Sequence, residues 1–263
     1  MTVLAIGTLA HRALSRSGGR AVPLAAFADA PYFDAGGEII WVGSQLPAMH
    51  PRAVMTAAPQ PRGRPLGFAR WPGPDAVRAC APDTPLAALQ ARTRAMVTAL
   101  VAAEPPRGFG ALLAGTAPGF PLDGGVARVH VLAAAYACDD VDAVERGTLS
   151  LAGFGTGLTP SGDDLAGGAL FARRMAADDA RWAALAERLV PQVAARTHVI
   201  SAALFADLAR AQSFAPLHDC ICALGEGDAG AALAAARSLA RIGHSSGWDM
   251  LAGCSIGILG ALE

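Results

Sequence analysis

The sequence predicts an α+β protein with a small β-rich N-terminal part followed by a mainly helical domain. Short apolar segments bounded by Gly and Pro dominate the first third of the chain, which favours strands joined by stiff loops. From Pro85 onward, apolar residues recur at helical spacing in long runs rich in Ala and Leu. We therefore divide the chain into a β-rich region over residues 1–85 and a helical domain over residues 86–263.

In the β-rich region we expect a strand at Val3–Ile6, followed by a basic loop. Three further apolar segments predict strands at residues 21–27, 38–43 and 52–56. The Pro-rich stretch that comes after them forbids a long helix.

The helical domain is predicted to begin with a helix over residues 86–100. Residues 126–138 fit either a strand or a buried helix, and an acidic helix is expected near residues 139–151. Several later segments are apolar nearly all round, which places them in the middle of a helical bundle. These later helices are predicted over residues 161–178, 180–189, 193–211, 216–224, 229–242 and 246–262.

Composition and charge exclude several classes of function. Hydrophobic residues make up 53% of the chain and charged residues 16%, which is typical of a globular protein. The formal net charge is −1, so no nucleic-acid or anionic-membrane surface is predicted. No apolar run approaches the ~18 residues of a membrane-spanning helix. We expect a cytoplasmic protein whose partners include neither nucleic acid nor a membrane.

All 21 basic residues are arginines. The absence of lysine from the sequence excludes a Schiff-base lysine and the lysine of a P-loop. A bound anion must therefore be held by Arg, His or backbone N–H groups. The five cysteines are odd in number and scattered, which favours reduced thiols in a cytosol. No cofactor is predicted.

The main candidate site is the Gly-rich stretch GFGTGLTPSGDD over residues 153–164. Glycines allow tight turns and close approach to a ligand, while Thr-Pro and the two acids mark the start of a helix. Free N–H groups and the helix dipole at such a start favour an anion. The candidate substrate-binding residues are Gly155, Gly157, Thr159, Ser161 and Gly162, and the candidate catalytic residues are Asp163 and Asp164.

The pattern S-G-x-D-x-x-x-G occurs twice, beginning at Ser161 and again 85 residues later at Ser246. Each copy is also an S-x-x-D capping box, so two well-capped buried helices are the structural alternative. The repetition favours one shared site instead. The second copy would add the substrate-binding residues Ser245, Ser246 and Gly247 and the catalytic residue Asp249.

Two residues outside these patterns are further candidates. His244 could donate a proton or a hydrogen bond to a developing oxyanion, or could bond a loop carbonyl. Arg196 could clamp an anion with its guanidinium fork, or could lie on the surface. The three acids Asp163, Asp164 and Asp249 could together hold a divalent cation, which would suit a metal-assisted hydrolase. They do not form the ligand set of a transition-metal site, and no metal is predicted.

The strings GLTPSGDD (157–164) and GHSSG (243–247), together with Asp249, resemble a bacterial family. Its best-known member is the AllH-type subunit of oxamate carbamoyltransferase. His50-Pro51-Arg52 and Arg196-Thr197 fit the family pattern less specifically. The resemblance covers residues 39–260 and departs at Leu165, where the family carries a bulky aromatic residue.

The resemblance implies a subunit of a hetero-oligomer that acts with partner proteins. The reaction would be carbamoyl transfer between oxamate and phosphate, in the breakdown of purine-derived allantoin and oxalurate. We expect the substrate to be a small carboxylate or phosphate ester, with His244 polarising the carbamoyl oxygen and Asp163 or Asp164 orienting the attacking amide. A non-catalytic subunit that binds a metabolite or serves in assembly is the alternative.

Overall fold

The computed structural model describes residues 1–24, 32–59, 63–75, 84–177 and 179–262. The chain forms two compact units, Met1–Arg78 and Ala79–Glu263. The first unit is built around a β-sheet, and the second is helical. This architecture confirms the predicted α+β class.

Six short strands of the first unit form one sheet in the order β1-β5-β4-β3-β2-β6. Neighbouring strands are antiparallel, except for the parallel pair β4 and β5. The helix α1 lies between β1 and β2 in the chain and contributes to the same apolar core. The elements are β1 (Val3–Ile6), α1 (Thr8–Ser17), β2 (Arg20–Pro23), β3 (Tyr32–Asp34), β4 (Ile39–Gly43), β5 (Ala53–Thr56) and β6 (Leu66–Gly67).

The predicted strand at Val3–Ile6 is confirmed, but the basic loop expected after it is wrong because that segment folds as α1. Ala10, Ala13 and Leu14 share one face of this helix and are fully buried. The strands predicted at 38–43 and 52–56 are confirmed as β4 and β5. Of the segment 21–27, β2 includes the beginning, and residues 25–27 lie outside the described residues.

In its described residues, the helical unit contains two 3₁₀ helices and a series of α-helices. The ambiguous segment 126–138 is a helix, as its buried Val129 and Leu132 at i, i+3 spacing allow. The α-helices are α2 (Leu86–Ala103), α3 (Val126–Ala137), α4 (Val141–Leu151), α5 (Ser161–Ala176), α6 (Ala180–Ala194), α7 (Val199–Ala209), α8 (Ala215–Glu226), α9 (Ala229–Ala240) and α10 (Ser246–Leu259). The 3₁₀ helices are Gly108–Ala114 and Leu122–Gly125.

The boundary between α6 and α7 differs from the prediction. α6 continues through Pro191 to Ala194, whereas α7 begins only at Val199 instead of at residue 193. His198 is the N-cap of α7, and its Nδ1 accepts a hydrogen bond from the N–H of Ile200 at 3.2 Å. A side chain that caps the first turn in this way sets the start of the helix.

α5 and α10 are buried along most of their length and lie against each other. A Cβ atom on Gly253 would lie 2.0 Å from the carbonyl oxygen of Leu165, and one on Gly257 would lie 2.2 Å from that of Ala169. Ser161 and Ser245 are in contact where the two helices begin, and Arg173 near the end of α5 donates to the carbonyl of Gly257 near the end of α10, so the helices run parallel. Glycine is required at these positions because the two backbones touch.

Two predictions from composition can be compared with the fold. In the described part of the chain, no helix is long and apolar enough to cross a membrane. Cys138, Cys220 and Cys254 are free thiols, but Cys222 is disulfide-bonded, so the expectation of uniformly reduced cysteines is wrong.

Candidate functional site

The two S-G-x-D segments meet at the common end of α5 and α10. The hydroxyl oxygens of Thr159 and Ser246 are 3.0 Å apart, and those of Ser161 and Ser245 are 3.5 Å apart. Each hydrogen bond joins a residue of the first segment to one of the second. The repeated sequence pattern thus corresponds to one cluster of polar side chains.

The glycine of each S-G pair lets its helix begin directly against the preceding helix. A Cβ atom on Gly162 would lie 2.2 Å from the carbonyl oxygen of Leu151, and one on Gly247 would lie 1.8 Å from that of Leu239. Both glycine N–H groups are engaged within the chain, Gly162 with the carbonyl of Phe154 at 2.8 Å and Gly247 with that of residue 242 at 3.0 Å. These two N–H groups are therefore not available to an anion in this conformation.

The capping-box interpretation is wrong for both helices. Ser161 and Ser246 are the first helical residues, and the N-cap positions are held by Pro160 and Ser245, neither of which makes a side-chain cap. The serine hydroxyls instead take part in the contacts between the two segments. Since the acids of the motif do not cap their own helices, capping alone does not explain the repeat.

Asp163 is buried and ties three segments together. Its Oδ1 accepts a hydrogen bond from the N–H of Gly153 at 2.7 Å. Its Oδ2 accepts hydrogen bonds from the hydroxyls of Thr197 and, at 2.6 Å, of Ser201. Both carboxylate oxygens are thus used to hold the Gly-rich loop and the start of α7 against α5.

Asp164 is also buried but faces the second segment. Its carboxylate receives hydrogen bonds from Ser246 and Thr159, while the Oδ2 atom has no hydrogen-bond partner. Burial, the charge of Asp249 and the charge of Asp163 raise the pKa of Asp164 well above its usual range. Asp164 therefore holds its proton to higher pH than an exposed aspartate does.

Asp249 lies on α10 and is completely buried. Its Oδ1 accepts a hydrogen bond from the N–H of Phe109 at 2.7 Å, and the hydroxyls of Ser161 and Ser245 also donate to the carboxylate. Its Oδ2 has no hydrogen-bond partner. Burial raises its pKa to about 6 despite these hydrogen bonds, so Asp249 is mainly ionised at pH 7.

The glycines of the loop differ in what surrounds them. Gly153 and Gly155 have φ values of 74° and 118°, and added Cβ atoms would lie 2.4 Å from the carbonyl oxygen of Arg196 and 2.8 Å from the N of Ser161. Gly157, with φ of 95°, has open space where its Cβ would be. Gly153 and Gly155 therefore serve packing as well as turning, whereas Gly157 is exposed and leaves open space at its Cβ position.

Two predicted site residues lie at the periphery. His244 is exposed, and its backbone carbonyl faces the Nη1 of Arg107 at 3.5 Å. Arg196 is exposed as well, and its Nη1 donates to the carbonyl of Leu149 at 3.1 Å, at the end of α4. Neither side chain is part of the buried cluster around Asp164 and Asp249.

The segment from Arg107 to Phe109 belongs to the site but was missed in the sequence. The N–H of Phe109 binds Asp249, and Gly108 lies so close that its Cβ would be 2.3 Å from the Asp249 Oδ1 atom. Gly108 has φ of 56°, which favours glycine. A glycine after arginine in a Gly/Pro-rich passage is too common a signal to indicate this contact.

Asp163, Asp164 and Asp249 are not arranged as shared ligands of one metal ion. Among the described residues, no group of three or more His, Cys, Asp or Glu side chains is placed to hold a metal ion. Asp163, the third acid of the predicted trio, already uses both oxygens for hydrogen bonds within the chain.

Fold and site together define an α+β protein in which two parallel helix starts bury a pair of carboxylates. Residues 151–258 match the family model described as oxamate carbamoyltransferase subunit AllH. This match confirms the predicted resemblance over these residues, although the matched stretch is shorter than residues 39–260. No curated protein and no solved structure gives a significant match to this chain.

Proposed function

We propose that the chain is a subunit of an oxamate carbamoyltransferase-type enzyme and binds a small anionic substrate where α5 and α10 begin. The observation that carries this proposal is the pairing of the two S-G-x-D segments, whose hydroxyls are in hydrogen-bond contact. Both segments lie inside the stretch 151–258 that matches the family.

The carboxylate or phosphate end of the substrate would lie at the Gly-rich loop. Positive ends of two parallel helix dipoles meet there and favour negative charge. The open space beside Gly157 and the hydroxyls of Thr159 and Ser246 suit an oxygen-rich anion. The raised pKa of Asp164 favours its uncharged form, which would reduce repulsion of the substrate.

Asp164 and Asp249 are the groups best placed to act on a bound substrate from the protein interior. Burial raises the pKa of both carboxyl groups, that of Asp249 to about 6, so either group could exchange a proton with a bound substrate more readily than an ordinary aspartate could. His244, exposed just before α10, would contact the substrate from the solvent side and polarise the carbamoyl oxygen. Asp163 would keep the loop in position through its bond to Gly153.

The family description as a subunit supports a role beside partner subunits in a hetero-oligomer. A non-catalytic subunit that senses or holds the same metabolite would use the same site but would not need a group that transfers a proton. No contact in the described residues favours the metal-assisted hydrolase over the transferase.

The test is transfer of the carbamoyl group from carbamoyl phosphate to oxamate, assayed with the full chain and the subunits that co-purify with it. We expect Asp249→Asn to reduce the rate by at least about 100-fold, as removal of a positioned acid–base group does. Ser255→Ala, which removes only a hydroxyl bonded to the carbonyl of Leu251 within α10, is the matched control and should keep activity. An active assembly that is insensitive to Asp249→Asn would support the non-catalytic alternative.

A further inference from the structure

A pocket of about 380 Å³ lies between α2, the end of α8 and the start of α9. Its walls are almost wholly apolar and include side chains of all three helices, among them Ala95, Met96, Leu224 and Leu233. Cavities of roughly 300–1,000 Å³ are typical of sites for small molecules, which combine apolar walls with a few polar groups that orient the ligand. The pocket therefore has the size and the lining of a ligand site.

This pocket is separate from the candidate site at the starts of α5 and α10. α9 begins in the pocket, at Ala229, and ends near the candidate site, where a Cβ atom on Gly247 would lie 1.8 Å from the carbonyl oxygen of Leu239. The two ends of this 12-residue helix are about 18 Å apart. A ligand in the pocket would therefore not occupy the place proposed for the anionic substrate.

Arg92, which lines the pocket, uses only part of its capacity to donate hydrogen bonds. Its Nη1 atom donates to the carbonyl oxygens of Leu224 and Gly225 at the end of α8, at 2.9 and 2.7 Å. Among the described residues, its Nε and Nη2 atoms donate to no acceptor, and no carboxylate forms an ion pair with it. The half-buried guanidinium thus brings a positive charge and two further donor atoms to the pocket wall.

Gly227 keeps the space beside this guanidinium open. A Cβ atom at residue 227 would lie 3.2 Å from the Cζ atom of Arg92 and 3.3 Å from its Nη2 atom. Asp228 also lines the pocket, but its Oδ1 atom accepts a hydrogen bond from the N–H of Ala231 at 2.9 Å as the N-cap of α9. The acid therefore stabilises the start of its own helix, whereas the arginine has donors left for a ligand.

We propose that the pocket binds a small molecule with an apolar body and one carboxylate, such as a medium-chain carboxylic acid. The apolar body would lie against Met96 and Leu233. The carboxylate would accept hydrogen bonds from the Nε and Nη2 atoms of Arg92, because the planar fork of a guanidinium matches the geometry of a carboxylate. This ligand class differs from the small anions of the proposed function, and the proposal does not depend on that function.

The test compares octanoate with 1-octanol, which has the same hydrocarbon chain but no carboxylate. Binding to the full chain is measured by isothermal titration calorimetry at neutral pH, where octanoate is ionised. We expect octanoate to bind about 10- to 100-fold more tightly than 1-octanol, the range that a hydrogen bond to a charged group provides. Butyrate keeps the carboxylate on a shorter chain and should bind at least about tenfold more weakly than octanoate, because it buries less apolar surface.

Arg92→Met keeps an apolar side chain at the pocket wall but removes the charge. It should lower the ratio of the octanoate affinity to the 1-octanol affinity by about tenfold or more. Arg92→Lys keeps the charge and should retain part of the preference for octanoate. A loss of folding alone would weaken the binding of both ligands equally and would not move the ratio.

A second pair of variants tests the position of the ligand without changing Arg92. Ala95 and Ala91 are both exposed residues of α2, and only Ala95 lines the pocket. Ala95→Leu places a larger side chain in the pocket and should weaken octanoate and 1-octanol alike by about tenfold or more. Ala91→Leu makes the same change one turn earlier and should leave both affinities unchanged.

Three results would each overturn the proposal. Equal binding of octanoate and 1-octanol by the unmodified chain, or a ratio that Arg92→Met leaves unchanged, would mean that Arg92 does not recognise the carboxylate. Octanoate binding that Ala95→Leu does not weaken would place the ligand outside the pocket. Absence of octanoate binding to the unmodified chain would exclude this class of ligand altogether.

Discussion

Asp163 and Asp164 are adjacent in the sequence, yet their carboxyl groups lie in opposite environments. Asp163 accepts hydrogen bonds on both oxygens from the Gly-rich loop and α7. Asp164 keeps one oxygen without a partner and has a strongly raised pKa. Consecutive residues of a helix point about 100° apart, so the two acids serve different sides of α5. One carboxylate stabilises the fold, and the other is a group that we propose for contact with a ligand.

The first prediction concerns the stabilising role of Asp163. Asp163→Ala should lower the free energy of unfolding by about 3 kcal/mol, because it leaves the N–H of Gly153 and the hydroxyls of Thr197 and Ser201 without their buried acceptor. The measurement is urea unfolding followed by circular dichroism. Asp142→Ala, at an exposed position in the first turn of α4, is the control and should cost about 0.5 kcal/mol. Equal losses in the two variants would contradict the role of Asp163.

The second prediction tests the backbone contact between α5 and α10. Gly253→Ala should destabilise the protein by about 3 kcal/mol or more, because its Cβ would lie 2.0 Å from the carbonyl oxygen of Leu165. Gly230→Ala, in the first turn of α9, meets nothing closer than 3.5 Å and should be stabilising by up to about 1 kcal/mol. The measurement is the melting temperature of each variant. It should fall in Gly253→Ala and rise slightly in Gly230→Ala.

The third prediction concerns pH. Asp249 has a pKa of about 6 in the folded chain against an ordinary value of 3.8. Because the pKa is raised in the folded state, the folded state binds more protons than the unfolded state between about pH 4 and pH 6. The free energy of unfolding therefore falls as pH rises from about 4 to above 6. The shift corresponds to about 3 kcal/mol at neutral pH.

Asp249→Asn should remove this contribution, since the asparagine does not titrate. The difference in unfolding free energy between the variant and the unmodified chain should therefore change by about 3 kcal/mol between pH 4 and pH 7, in favour of the variant at pH 7. Chemical unfolding at several pH values measures it. A difference that stays constant with pH would show that burial does not raise the Asp249 pKa.

The repeated pattern was sufficient to predict that the two S-G-x-D segments come together. Ser161 and Ser246 begin equivalent helices, and two such helices with glycines at matching positions pack in parallel, which brings their starts together. The fold class followed from the change near Pro85, where short apolar segments bounded by Gly and Pro are replaced by long runs with helical spacing. These features could be predicted because they depend on the periodicity of apolar residues and on the positions of glycines, both of which are local in the sequence.

Tertiary contacts decided what the sequence did not reveal. A capping box and a serine contact across two helices have the same local sequence, so the position of Ser161 one residue inside α5 was not predictable. The three acids looked equivalent, and only the approach of Thr197 and Ser201 distinguishes Asp163 from the others. Similarly, the sequence does not indicate α1, because charged residues interrupt the pattern of small apolar residues that pack on the sheet.

The last prediction concerns Gly108, through which the segment before α3 reaches the carboxyl pair. Gly108 and Gly115 both have left-handed backbone conformations, with φ of 56° and 66°. An alanine at either position should cost about 1–2 kcal/mol from backbone strain alone. Gly115 has open space around its Cβ position, whereas the Cβ of an alanine at 108 would lie 2.3 Å from the Oδ1 atom of Asp249. Gly108→Ala should therefore cost about 2 kcal/mol more than Gly115→Ala, because the buried bond from Phe109 to Asp249 is displaced.

The same change should also be visible in the titration of Asp249. The Phe109 N–H lowers the pKa of this carboxyl group, so its loss should raise that pKa further above 6. In Gly108→Ala, the pH range over which stability declines should extend to higher pH, while Gly115→Ala should titrate like the unmodified chain. Unfolding measurements on both variants from pH 4 to pH 8 provide the comparison. An unchanged pH dependence in Gly108→Ala would mean that the contact between Phe109 and Asp249 does not control the charge of the carboxyl pair.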